Sequence, residues 1–123
     1  MQGGILVIDD NPHFLRTAEK LLTMRGLEPF GLVAGGDEAL AALGRGCPDG
    51  VLLDINLVGQ DGFQVAAALA ARCPTVPIVL MSTEVDAVEG LELQRCGATA
   101  FVPKTELATT DLSQLFGGKA PAP

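Results

Sequence analysis

A doubly wound α/β domain, with a five-stranded parallel sheet covered by helices on both faces, is the fold this sequence predicts. Two observations carry the prediction. Five short apolar runs alternate with five helical patterns, and the first run, Ile5-Leu6-Val7-Ile8, is continuous and β-branched until it stops at Asp9-Asp10, as a strand buried on both faces does on reaching solvent. At 123 residues the chain is long enough to close one core and too short for two.

The elements follow in order. From Pro12 to Arg25 the apolar residues Phe14, Leu15, Ala18, Leu21 and Leu22 fall on one face of a 3.6-residue period, with Asn11 or Asp10 as cap and Gly26 as stop. Phe30 to Ala34 reads as the second strand and Asp37 to Leu43 as a short Ala-rich helix. Gly44, Gly46 and Pro48 break the chain before the third strand, Val51 to Leu53, which delivers Asp54 at its end. Gly59-Gln60-Asp61-Gly62 is a loop, and Phe63, Ala66, Leu69 and Ala70 mark the third helix. Pro74 and Pro77 bracket the turn into a fourth strand, Ile78 to Met81. A helix then runs from Ser82 to about Cys96, with Thr83 and Asp86 at capping-box spacing and Gly97 as stop. Thr99 to Val102 is the fifth strand, with Pro103 at its end, which is tolerable if this strand lies on a sheet edge. A last helix falls between Glu106 and Phe116, weakened by Thr105, Thr109 and Thr110, and the tail 119–123 beyond a domain of residues 1–118 reads as flexible.

Composition narrows the function. A net charge of -7 argues against nucleic acid and against an anionic membrane surface as direct partners. No signal peptide or membrane span fits the sequence. Cys47, Cys73 and Cys96 are an odd, widely spaced set without metal-ligand spacing, which reads as reduced thiols in a cytosolic protein. Gly35-Gly36 lacks the following Lys-Ser/Thr of a phosphate-binding loop, and His13 reads as a solvent-facing helix residue.

Parallel strands put their carboxyl ends on one side of the sheet, where ligands bind. Asp9 and Asp10 follow strand one, Asp54 strand three, Ser82 and Thr83 strand four, and Lys104 strand five. Three carboxylates, a hydroxyl and an ammonium therefore share one crevice. Two like charges about 4 Å apart repel by roughly 4 kcal/mol at an effective dielectric near 20, so the cluster calls for raised pKa values or a bound cation. Hard oxygen ligands that leave room for water and phosphate suit Mg²⁺. Asp54 then serves as nucleophile toward a phosphoryl group, Lys104 neutralises developing charge and Ser82 hydrogen-bonds an oxygen.

This constellation, with Asp61-Gly62 after Asp54 and Gly97-Ala98 before strand five, resembles the receiver domains of two-component response regulators from about Ile5 to Phe116. The resemblance implies the flavodoxin-like strand order 2-1-3-4-5. It implies that Asp54 accepts a phosphoryl group from a histidine kinase or phosphotransfer protein, and that Asp9, Asp10, Asp54 and the backbone carbonyl of Asn56 hold Mg²⁺. Lys104 pairs with the phosphoryl group, Ser82 turns toward it on activation, and Phe101 stands at the switch aromatic. Asn56 and Glu84 stand where the family tunes the lifetime of the phosphoryl group. Output to a downstream protein passes through the face of helix four, strand five and helix five, which leaves a homodimer open. The protein so implied is cytoplasmic and no enzyme on other substrates: it catalyses only its own phosphorylation and dephosphorylation.

The sequence departs from the family pattern at three places. Pro103 precedes the lysine and Thr105 follows it, where the family has a lysine before a cis proline, so a trans Lys104-Thr105 bond is predicted. Thr83 replaces a small residue at the mouth of the site, and Val58 replaces a common loop proline, loosening the segment from Leu57 to Asp61. One alternative is a receiver-like interaction module that works without phosphorylation, with Thr83 in its favour. A phosphatase of the haloacid dehalogenase type is the other, but it needs an acid where this chain has Asn56.

Overall fold

The computed structural model describes residues 4–83, 93 and 95–116. Strands β1 (Ile5–Ile8), β2 (Pro29–Val33), β3 (Gly50–Asp54), β4 (Ile78–Ser82) and β5 (Ala100–Pro103) form one parallel sheet in the order 2-1-3-4-5. The register sets Ile8 beside Leu53, Asp54 beside Met81, and Ser82 beside Pro103. Asp9, Asp54, Ser82 and Lys104 consequently leave the sheet along one edge.

Side chains alternate between two cores, because successive residues of a strand face opposite ways. Leu6, Ile8, Val51, Leu53, Ile78 and Leu80 pack with Ala39 of helix α2 (Gly36–Ala42) and with Ala66 and Leu69 of helix α3 (Gly62–Arg72). Ile5, Val7, Leu52, Val79 and Met81 pack on the other side with Ala18 and Leu22 of helix α1 (Pro12–Met24) and with Leu112 and Phe116. Every residue of β1, β3 and β4 is buried. At about 1.5 to 3 kcal/mol for each fully buried aliphatic side chain, these three central strands make the rigid floor of the site.

Polar side chains set the element ends. Asn11 caps α1, its Oδ1 accepting from the N–H groups of His13 at 2.9 Å and Phe14 at 3.4 Å. The second strand stops at Val33, one residue before the predicted end, because the Ala34 N–H donates to Glu38 Oε1 at 2.9 Å and leaves the ladder. The last predicted helix is divided: a 3-10 segment, Lys104–Thr109, precedes a short α-helix, Leu112–Phe116. The hydroxyls of Thr109 and Thr110 both donate to the Glu106 carbonyl, at 3.1 and 2.7 Å, and so compete with the α-helical ladder. In the fourth predicted helix, Ser82 belongs to β4, Leu93 and Arg95 are helical, and the Thr83–Asp86 cap lies outside the described residues. No described peptide bond is cis, Lys104–Thr105 included.

The expectation of reduced thiols is corrected by the structure. Cys47 and Cys73 are joined in a disulfide with Cα atoms 5.9 Å apart, whereas Cys96 is free and buried. The two are 26 positions apart in sequence, but the loop entering β3 and the end of α3 meet where the chain turns toward β4. Spacing along the chain does not reveal that approach.

Candidate functional site

Each of the three carboxylates is held by a backbone N–H. Asp9, fully buried, accepts from Asn11 N at 2.9 Å through Oδ1. Asp54, the last residue of β3 and also buried, accepts from Asn56 N at 2.9 Å through Oδ1. Asp10, half-buried, accepts from Val58 N at 2.7 Å through Oδ2. The tight turn after β3 depends on Gly62, whose hydrogen occupies space where a Cβ would overlap the Ile55 backbone.

Lys104 reaches in from the end of β5. Its Nζ lies 2.6 Å from Asp9 Oδ2 and 3.2 Å from Asp54 Oδ2, and the Phe14 ring centroid stands 4.4 Å from the ammonium. The buried Oδ2 of Asp9 is engaged by the Lys104 ammonium alone. Burial pushes the Asp9 carboxyl above its ordinary value, with the nearby Asp54 charge adding to the rise, although the bonds from Lys104 and Asn11 pull it down. Burial also works against the Lys104 ammonium, but the bond to Asp9 and the charges of both aspartates outweigh it and hold Lys104 above its ordinary value.

One oxygen from each of Asp9, Asp10 and Asp54 lies within 4.8 Å of the others. This all-oxygen donor set, left two positive charges short by the one ammonium and including a buried oxygen engaged only by an ion pair, fits a hard divalent cation such as Mg²⁺.

Ser82 is buried, and its Oγ accepts from Asn56 Nδ2 at 3.1 Å, a link the sequence does not announce. Thr83 is exposed beside it. Phe101 is half-buried, pairs in register with Leu80 and packs into the core shared with α2 and α3, away from the carboxylates. Glu84 lies outside the described residues, and His13 is exposed. Three further residues belong to the site: Asn11 and Val58 through their N–H groups, and Phe14 through its ring. Sequence offers Phe14 only as a core position of α1 and Asn11 only as a cap. Nothing in it singles out the Val58 amide.

Comparison with known proteins bears on the fold and the family. The chain is 34% identical over 113 residues to a protein-glutamate methylesterase/protein-glutamine glutaminase of Archaeoglobus fulgidus, covering 90% of this chain and 32% of that protein. It is 32% identical over 105 residues to the DNA-binding transcriptional regulator NtrC of Salmonella typhimurium, covering 85% of this chain and 22% of the relative. The chain thus spans a third or less of the length of these curated relatives. Among solved structures, chemotaxis protein CheY4 of Vibrio cholerae shares the fold with a TM-score of 0.81 at 24% identity, over 94% of this chain and 99% of that one. Response regulator TrrA of Thermotoga maritima, solved in complex with Mg²⁺-BeF, matches with a TM-score of 0.72 at 27% identity over 83% and 86% of the two chains. Residues 5–115 match the model of the response regulator receiver domain, and the chain belongs to that family.

Proposed function

We propose that this receiver domain is a phosphoacceptor switch in a two-component phosphorelay and that Asp54 is its acceptor. The observation that carries the proposal is the Lys104 ammonium set between Asp9 and Asp54 at a cluster of three converging carboxylates. A cation placed there screens the approach of an anionic phosphoryl group to an anionic nucleophile.

In the reaction an oxygen of the Asp54 carboxylate attacks the phosphorus of a phosphohistidine on a histidine kinase or phosphotransfer protein. The new P–O bond forms as the P–N bond breaks, and the imidazole leaves with the electron pair. Asp9, Asp10, Asp54 and the Asn56 backbone carbonyl are the residues that would hold Mg²⁺, which when bound supplies charge to offset that of the phosphoryl oxygens. Asn56 N–H fixes the Asp54 carboxylate through Oδ1. Lys104 exchanges its contact with Asp54 Oδ2 for a phosphoryl oxygen. Ser82 gives up its bond from Asn56 and turns its hydroxyl to another oxygen, so the reaction state is coupled to the end of β4. Phe101, Thr83, Asn56 and Glu84 tune the response and the lifetime of the acyl phosphate. Hydrolysis by water restores the starting state, and no other substrate is turned over.

The change biases a two-state equilibrium in the face around β5 and the C-terminal helix and alters affinity for a downstream protein. The domain occupies residues 1–118 and works in the cytoplasm. None of the helices in the described residues is long and apolar enough to cross a membrane.

The test is incubation with Mg²⁺ and a small phosphodonor, followed by mass spectrometry. Wild type gains one phosphoryl group on Asp54, and Asp54→Asn gains none. An unmodified wild type, under conditions that label another receiver, overturns the proposal and favours an interaction module whose partner affinity ignores Asp54→Asn.

A further inference from the structure

The three backbone donors at the site are not equivalent. Asn11 N–H and Asn56 N–H each serve a carboxylate two residues earlier, Asp9 and Asp54, and are local features of their own turns. The donor to Asp10 comes from Val58, 48 positions away on another loop. We propose that the Val58 backbone N–H is the positioning group for Asp10, holding its carboxylate toward the point shared with Asp9 and Asp54 and so setting the affinity of the site for a divalent cation. This rests on the reading of the cluster as a Mg²⁺ site.

Three features support it. The Val58 side chain is 84% exposed while Leu57 before it is buried in the core, so packing anchors the chain at Leu57 and the Val58 N–H is oriented by its 2.7 Å bond to Asp10. At the far end of the loop Gln60 Oε1 accepts from Gly36 N at 2.8 Å. The loop is therefore tied on both sides of Val58, where the loss of a proline led to the expectation of a looser segment. Asp10 is half-buried, and among the described residues Lys104 pairs with Asp9 and Asp54 and not with Asp10. Val58 thus supplies the restraint on Asp10 that Lys104 supplies on the other two.

A carboxylate offers about four lone-pair sites, so an oxygen engaged by an N–H leaves the other free for a cation or its water. Fixing the rotamer in advance removes an ordering cost from cation binding. Groups that orient metal ligands in this way typically change affinity by about 10- to 100-fold. Only a residue other than proline can provide this donor.

The experiment is Mg²⁺ titration by calorimetry of wild type, Val58→Pro and the conservative variant Val58→Ala, with amide hydrogen exchange on the metal-free protein. Val58→Pro should bind about tenfold more weakly, and Val58→Ala, which keeps the N–H, as tightly as wild type. The Val58 amide should be protected in wild type and lose that protection in Asp10→Ala. Equal affinity in wild type and Val58→Pro, or an equal loss in Val58→Ala, overturns the inference. Should Val58→Pro fail to fold, exchange decides: a Val58 amide that is unprotected in wild type, or equally protected in Asp10→Ala, overturns it. Absence of Mg²⁺ binding by wild type removes the reading of the site and this inference together, an outcome distinct from a wild type that binds and a proline variant that binds alike.

Discussion

Lys104 Nζ stands nearer to Asp9 Oδ2, at 2.6 Å, than to Asp54 Oδ2, at 3.2 Å. The lysine is thus chiefly the counterion of a buried carboxylate and only secondarily a partner of the proposed acceptor. Its ammonium occupies part of the electrostatic role that a divalent cation would take.

Removing that ammonium separates the two roles. Lys104→Met leaves Asp9 buried with its Asn11 N–H bond but without a positive neighbour, which should cost about 1 to 3 kcal/mol in EDTA. The same change makes the cluster more negative, so Mg²⁺ should raise the melting temperature of the variant more than that of wild type. Thermal denaturation in EDTA and in Mg²⁺ measures both effects. An equal metal-induced rise in the two proteins would show that Lys104 does not compete for the site.

Asp9 gives the metal-free fold a pH dependence of defined sign. Because burial holds its folded-state carboxyl above the ordinary value, the folded form binds the proton more tightly than the unfolded form does. The corresponding stability is present below the unfolded value, near 4, and is lost as pH rises through the elevated folded value. Lys104 is raised as well, so its contribution is lost only above the ordinary lysine range and leaves this window alone. Asp9→Asn should flatten the decline and make the metal-free protein more stable at pH 7, by about 1 kcal/mol on the usual scale of a favourable substitution. Urea denaturation in EDTA across pH 4 to 8 reads the difference. A variant less stable than wild type at pH 7 would mean that the pairing with Lys104 outweighs the burial of the charge.

Strand-end chemistry was legible because the fold leaves it no freedom. Four continuous parallel strands must carry Asp9, Asp54, Ser82 and Lys104 to one edge, and apolar runs such as Ile5–Ile8 and Ile78–Met81 declare themselves as buried strands. What stayed hidden depends on loop geometry. The Asn56–Ser82 bond, the Val58–Asp10 bond and the Phe14–Lys104 contact join residues that no periodicity relates. The divided C-terminal segment was hidden for a different reason: Thr109 and Thr110 can face solvent in a helix or bond back to the Glu106 carbonyl, and composition does not choose between them.

The Cys47–Cys73 bond, between residues 26 positions apart, closes a loop around β3 and the whole of α3. In the chain-entropy treatment a loop of that size restricts the unfolded state by about 3.5 kcal/mol at 25 °C. Non-reducing peptide mapping of purified protein should find the two cysteines linked, with Cys96 alkylated only after unfolding. Reductant, or Cys47→Ser with Cys73→Ser, should lower stability by roughly 2 to 4 kcal/mol without changing Mg²⁺ affinity, because the bond lies in the loops that enter β3 and β4 and the carboxylates lie where the strands leave the sheet. In a reducing cytoplasm glutathione would keep both as thiols, so the same mapping after rapid alkylation in cells reports which state the domain uses. Two free thiols in oxidised, purified protein would contradict the pairing.

Gly59, in the loop before α3, and Gly62, the first residue of α3, lie three residues apart, yet they should respond differently to a methyl group. Gly59 has φ of +74° and nothing within 4 Å of the point where a Cβ would stand, so Gly59→Ala meets only the cost of the left-handed conformation, about 1 to 2 kcal/mol. Gly62 does not have a positive φ, but a Cβ there would overlap the Cα, carbonyl carbon and oxygen of Ile55. Those are backbone atoms, which cannot swing aside as a side chain does, so the start of α3 must shift relative to the residue that follows Asp54. Gly62→Ala should therefore cost about 2 to 3 kcal/mol, the upper part of the range for overpacking, and should also weaken Mg²⁺ binding because Ile55 links Asp54 to Asn56. Urea denaturation and calorimetry on the two variants make the comparison. If Gly59→Ala proved the more damaging at the metal site, conformational strain in the loop, and not the close approach of α3 to β3, would be what holds Asp54 in place.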